Sequence, residues 1–85
     1  MNLLDFYKTA CLTAKHRGFD TPRLVNAYAF IYGGDLWYEI NIYINDECIK
    51  GKQQKNPVAA IRAFKNALNF HKHQYSKQYE YIELI

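Results

Sequence analysis

The stretch Leu36-Trp37-Tyr38-Glu39-Ile40-Asn41-Ile42-Tyr43-Ile44-Asn45 decides the fold. Leu36, Tyr38, Ile40, Ile42 and Ile44 take alternate positions, and Trp37, Glu39, Asn41 and Tyr43 fall between them. Side chains on a strand point alternately to opposite faces, so this period of two predicts one apolar, buried face and one solvated face. Just upstream, Gly33-Gly34-Asp35 signals a tight turn, because glycine reaches positive φ without strain. Before that turn, Leu24 to Tyr32 alternates Val25, Ala27, Ala29 and Ile31 with Asn26, Tyr28, Phe30 and Tyr32, and reads as a partner strand. Downstream, Asn45-Asp46 or Asp46-Glu47 makes the next turn. Glu47 to about Gln53 then reads as a shorter, more polar edge strand.

Helical patterns flank this β region. From Asn2 to Arg17, Leu3, Tyr7, Cys11 and Ala14 recur at helical spacing, with Leu4 and Ala10 widening the stripe. Asn2 is placed to cap the N-terminus, Asp5 sits in the first turn, and Gly18 follows the basic last turn Lys15-His16-Arg17. The segment Phe19 to Arg23 reads as a loop. A second helix opens at Asn56-Pro57, an N-cap followed by proline at the first helical position. Val58, Ile61, Phe64 and Leu68 form its expected core stripe, and Ala60, Ala63 and Ala67 permit close approach to a sheet. Arg62, Lys65, Asn66, Asn69 and Lys72 face outward, and the helix is expected to fray by His73. Gln78 to Ile85 alternates again and reads as a final strand. With no repeat or linker, residues 1–85 read as a single α+β domain, α-β-β-β-α and then β. Both helices are expected on one face of an antiparallel sheet.

The 85 residues are 49% hydrophobic, 22% charged and 16% aromatic, which excludes disordered and low-complexity classes. No apolar run approaches the roughly 20 residues of a membrane-spanning helix. No secretory signal is expected at the N-terminus. Cys11 and Cys48 make neither a disulfide framework nor a zinc motif, so a reduced, cytoplasmic setting is expected. Cys11 falls on the expected buried stripe, and Cys48 on an edge strand. A chain this small buries only about 60–65% of its unfolded surface, so its rings (Tyr 8, Phe 5, Trp 1) exceed what one core hides. Tyr7, Tyr38 and Phe64 are assigned to the core. Trp37, Tyr43, Tyr28 and Tyr32 gather on the opposite sheet face, as cross-strand pairs, a homodimer or partner interface, or a platform for unpaired bases. Tyr75, Tyr79 and Tyr81 crowd the last segment.

Charge is also directional. Lys50, Lys52, Lys55, Arg62, Lys65, Lys72 and Lys77 fall in a stretch without Asp or Glu. Such a surface favours a polyanion, with phosphate binding as the leading expectation, against a solvated face or an acidic protein partner. His71 and His73 are two residues apart, so on a helix they point about 200° from each other and share no metal. No pattern brackets them or His16 for acid–base catalysis, so no enzyme, metal or cofactor is expected.

The order helix, three-strand meander, helix over Leu3 to Phe70 resembles the double-stranded-RNA-binding domain. Within it, Trp37 to Leu68 (WYEINIYINDECIKGKQQKNPVAAIRAFKNAL) is the most similar stretch, with Ala60 and Ala63 at the family's small helix-packing positions. The resemblance implies RNA as partner, gripped in part near the start of the last helix. Asn56-Pro57-Val58-Ala59 stand where the family has a lysine cluster, and Lys50, Lys52 and Lys55 lie just upstream. The Gly33-Gly34-Asp35 loop lacks the family's histidine. The pattern is also similar to the DNA arm-binding domains of tyrosine recombinases and to small antitoxin and phage inhibitor folds. The expectation is a small non-catalytic, dimeric RNA-binding protein, such as a phage inhibitor of a host toxin–antitoxin ribonuclease. The alternative is a protein-binding inhibitor or antitoxin, or a DNA-binding arm-type module, acting through the aromatic sheet face.

Overall fold

The computed structural model describes residues 1–19, 24–44 and 46–83, with side chains through His71. The chain runs α1 (Leu3–Lys15), β1 (Leu24–Tyr32), β2 (Asp35–Ile44), β3 (Glu47–Lys50) and α2 (Pro57–Glu83). The strands form one antiparallel sheet in the order β1-β2-β3, and the helices pack against it. No described helix is long and apolar enough to cross a membrane.

Turn chemistry sets the register. Gly33 and Gly34 have φ of 62° and 79°, the positive pair that a two-residue hairpin turn requires. They place Tyr32 opposite Asp35, Phe30 opposite Trp37 and Tyr28 opposite Glu39. Asp46 takes φ 67° at the β2–β3 turn, which puts Ile49 opposite Ile42 and Lys50 opposite Asn41. β3 ends at Lys50, short of the expected Gln53, yet the following segment stays tied to β2. The Gly51 amide donates to the Ile40 carbonyl at 2.9 Å, and Tyr38 and Gln54 exchange bonds of 2.7 and 3.0 Å.

Both helix starts are capped as the sequence reads. Asn2 Oδ1 accepts from the Asp5 amide at 2.8 Å, and Asn56 Oδ1 accepts from the Ala59 amide at 2.9 Å. α1 closes with the Gly18 amide on the Lys15 carbonyl (3.0 Å) and the Phe19 amide on the Ala14 carbonyl (2.9 Å). Gly18 has φ 81°, and Phe19 folds back into the core, so the cap also fixes the way the chain leaves the helix.

The core lies between the helices and one face of the sheet. Phe6, Ala10 and Ala14 of α1 meet Ile40, Ile42 and Ile44 of β2, Ile49 of β3, and Ala60, Phe64 and Leu68 of α2. Full burial of an Ile, Leu or Phe side chain stabilises by about 1.5–3 kcal/mol, so this cluster carries most of the fold. Ala10 and Ala14 are buried as expected, but the rest of the α1 stripe is shifted by one residue from the expected Leu3-Tyr7-Cys11 line. Phe6 is the buried ring, packed edge-on against Tyr38 at 5.5 Å, while Leu3, Leu4 and Tyr7 are exposed and Cys11 is half-buried. Two alanines one and two turns after Phe6 let the helix approach the sheet, which the bulkier Tyr7 line does not. Val58 is likewise exposed rather than core.

The expected final strand is corrected too. Residues 78–83 continue α2, which runs unbroken past the expected fraying point at His73. No glycine or proline follows Pro57, and Gln74, Lys77, Gln78, Glu80 and Glu83 are good helix formers, so nothing in the chain stops the helix. The alternation of Tyr79, Tyr81 and Glu83 is a coincidence of composition. Leu84 and Ile85 lie outside the described residues.

Gly51 lies in close contact with α2. A Cβ there would stand 2.9 Å from both the amide nitrogen and the Cα of Phe64. Gly51→Ala therefore pushes α2 off the sheet and should cost about 1–3 kcal/mol in chemical denaturation. Unchanged stability would show that the helix yields at no cost.

Candidate functional site on the open sheet face

The register directs Asn26, Tyr28, Phe30 and Tyr32 of β1, Trp37, Glu39, Asn41 and Tyr43 of β2, and Cys48 and Lys50 of β3 away from the helices. The four rings expected there, Trp37, Tyr43, Tyr28 and Tyr32, do share this face, and Phe30 joins them. Tyr28 and Phe30 lie 5.9 Å apart between ring centroids, and Trp37 Nε1 donates to the Tyr32 carbonyl at 3.2 Å.

Its centre is not solvated. Glu39 and Asn41 are only 3% and 4% exposed. β2 is the middle strand, so longer side chains from both neighbours close over its polar positions. Asn26 Nδ2 donates to Asn41 Oδ1 at 3.3 Å, and the Tyr28 hydroxyl donates to Glu39 Oε2. Lys50 Nζ stands 3.4 Å from Glu39 Oε1, an ion-pair distance, but that oxygen accepts no hydrogen bond. A buried acceptor left unmet is costly, which marks Glu39 as incompletely served by the protein itself. It lines a shallow, open depression of about 470 Å³ together with Trp37, Lys50, Gly51, Lys52 and Gln53.

The basic stretch does not form one surface. Lys50, Lys52 and Lys55 are exposed beside Trp37, with Lys55 Nζ 5.3 Å from the indole centroid. Arg62 and Lys65 are exposed on the side of α2 turned away from Ala60, Phe64 and Leu68, and so away from the sheet. Lys72 and Lys77 belong to α2, but their side chains lie outside the described residues. The fold also brings acids to the lysines. Lys55 pairs with Asp35 at 3.2 Å, and Lys50 pairs with Glu39. Of these three lysines, Lys52 alone has no ion pair among the described residues. The Lys55–Asp35 pair is exposed and contributes little to stability, whereas Glu39 is buried; together the two acids lower the local charge that a polyanion would meet.

Glu39, Gly51 and Gln53 are the site residues that sequence reasoning missed. The available signal was one carboxylate in an otherwise aromatic and aliphatic strand. Its burial depends on Tyr28 and Lys50, which only the register brings near. Cys48 is exposed, as expected for the edge. Among the described residues no three His, Cys, Asp or Glu side chains group to hold a metal.

The Tyr28–Glu39 contact has a titration signature. The hydrogen bond that the Tyr28 phenol donates to the Glu39 carboxylate, aided by burial, pushes its pKa from 10.0 up to about 12. Its folded-state value is raised above the unfolded one, so the stabilisation is fully present below about pH 10 and is lost as pH rises toward 12. NMR titration of ring-labelled tyrosine should show one phenol titrating near 12, returning toward its ordinary value in Glu39→Gln. A tyrosine spectrum unaltered by Glu39→Gln would refute the contact. No family model, curated protein or solved structure matches the chain.

Proposed function

We propose that this chain is a non-catalytic RNA-binding domain that takes its ligand on the open face of the sheet, where β2 meets β3. One observation carries the reading: Trp37, Lys50 and Lys52 converge on a single depression with a buried carboxylate at its base. An aromatic wall, flanking ammonium groups and a polar floor serve the three parts of an unpaired nucleotide, namely its base face, its phosphate and its base edge. The expected grip at the start of α2 is replaced in this reading. Asn56 caps the helix there, Lys55 is engaged by Asp35, and Arg62 and Lys65 face the other side. Single-stranded or looped RNA therefore fits this face better than a duplex does. The protein's role would be to occupy such RNA and exclude another protein from it.

A second reading, a protein or homodimer interface, is favoured by the exposure of Tyr32 and Tyr43 on this face. Ile31 and Leu36 are exposed on the other face of the same hairpin tip. Tyr and Trp are enriched in such interfaces.

The two readings separate by mutation. Trp37→Ala should weaken binding of a single-stranded RNA by roughly 1–3 kcal/mol. Lys52→Glu should weaken it further and flatten the salt dependence, since each lost phosphate contact removes roughly 0.7 from the log–log slope. Arg62→Glu with Lys65→Glu should leave affinity nearly unchanged. The reverse pattern, measured by gel shift over a salt series with folding checked by circular dichroism, would move the interface to α2 and sink this reading. Light scattering that shows a dimer dissociated by Trp37→Ala, with no RNA bound, would establish the second reading instead.

A further inference from the structure

We infer that the depression formed by Trp37, Glu39, Lys50 and Lys52 is a guanine pocket, filled by an unpaired guanosine of the RNA. The inference rests on the RNA reading above and deepens it by naming the base. Three features of the depression restrict the ligand, and together they leave one nucleobase.

The first is the carboxylate. Glu39 is 3% exposed, lines the depression and holds an oxygen, Oε1, that accepts no hydrogen bond. Oε2 already accepts from Tyr28 but keeps a second lone pair, so both oxygens can receive a donor. The second is the charge around it. Lys50 and Lys52 stand at its rim, so a cationic ligand is repelled and a phosphate is favoured. The third is Trp37, whose indole supplies a flat apolar wall.

The ligand must therefore donate to a carboxylate, carry a flat ring and bring an anion. Guanine presents N1–H and the N2 amino group side by side, two donors that match the two carboxylate oxygens. Adenine and cytosine each place a single amino group beside a ring nitrogen acceptor, and that lone pair faces the second oxygen. Uracil places one N–H between two carbonyl oxygens, both repelled by the carboxylate. Discrimination thus comes from leaving a buried group unpaired with the wrong base.

Lys50 is the gate of this site. Its ammonium lies 3.4 Å from Oε1 and covers it, but the side chain is 58% exposed and holds no hydrogen bond there. It can swing out as the guanine donors replace it on the carboxylate, and then meet the phosphate of the entering nucleotide.

Trp37 is the chain's one tryptophan, so its fluorescence reports occupancy of this depression alone. The probes are a short oligouridine, the same strand with one central guanosine, and that strand with inosine at the guanosine position. Inosine keeps N1–H and lacks the N2 amino group. The guanosine strand should bind about tenfold tighter than oligouridine, with the inosine strand between them. Glu39→Gln should abolish that preference. Should the variant misfold, the inosine comparison still decides, because it alters the ligand alone. Equal binding of the guanosine and uridine strands would overturn the guanine pocket while the RNA reading stands. Binding of none of the strands would overturn both. Guanosine monophosphate binding as tightly as the guanosine strand would uphold the base preference and overturn the RNA reading.

Discussion

β2 is hydrogen-bonded on both sides, and a slip of one residue along either ladder would exchange Ile40 for Glu39 in the core. Every other feature depends on that register being held. The two-glycine turn pins it on one side, and the left-handed Asp46 pins it on the other. Once it is fixed, Ile40, Ile42 and Ile44 meet Phe6, Phe64 and Leu68 beneath the sheet, and Glu39 and Asn41 are committed to the opposite face. Core and site are therefore two sides of the same choice.

The open face shows how a local charge pattern changes on folding. Lys50 to Lys77 is free of acids along the chain, but Asp35 and Glu39 precede it by a strand and return to it through the sheet. The lysines near Trp37 are therefore partly engaged, and their surface is less cationic than the sequence run suggests. Arg62 and Lys65 lie across the molecule, on the outer side of α2. A charge run in sequence becomes a surface only when no other element delivers counter-charges to it.

What could be read in advance was what depends on short-range chemistry. The alternation of β2, the glycine turn, the two asparagine caps and the exit at Gly18 are local, and the structure holds each of them. On α1, Ala10 and Ala14 are legible, but Leu3, Tyr7 and Cys11 satisfy helical periodicity with them as well as Phe6 does. Only the sheet, which accepts small residues at close range, distinguishes them. The terminal strand was misread because the alternation from Gln78 to Glu83 is shared by a helix of mixed composition. The four aromatic site residues were legible from β periodicity. The buried carboxylate was not, since its enclosure is built by Tyr28 and Lys50 from two other strands.

Gly51 gives the depression an uneven tolerance to change. It meets the backbone of α2 and admits no side chain, whereas Lys50 and Lys52 on either side of it are exposed. Substitution at Lys52 can alter charge and reach at the rim without touching the packing beneath, while Lys50 is tied to the buried Glu39. Over generations the charge at Lys52 can drift while the fold stays still. A single residue with no side chain thus separates the part of the protein that is free to vary from the part that is not.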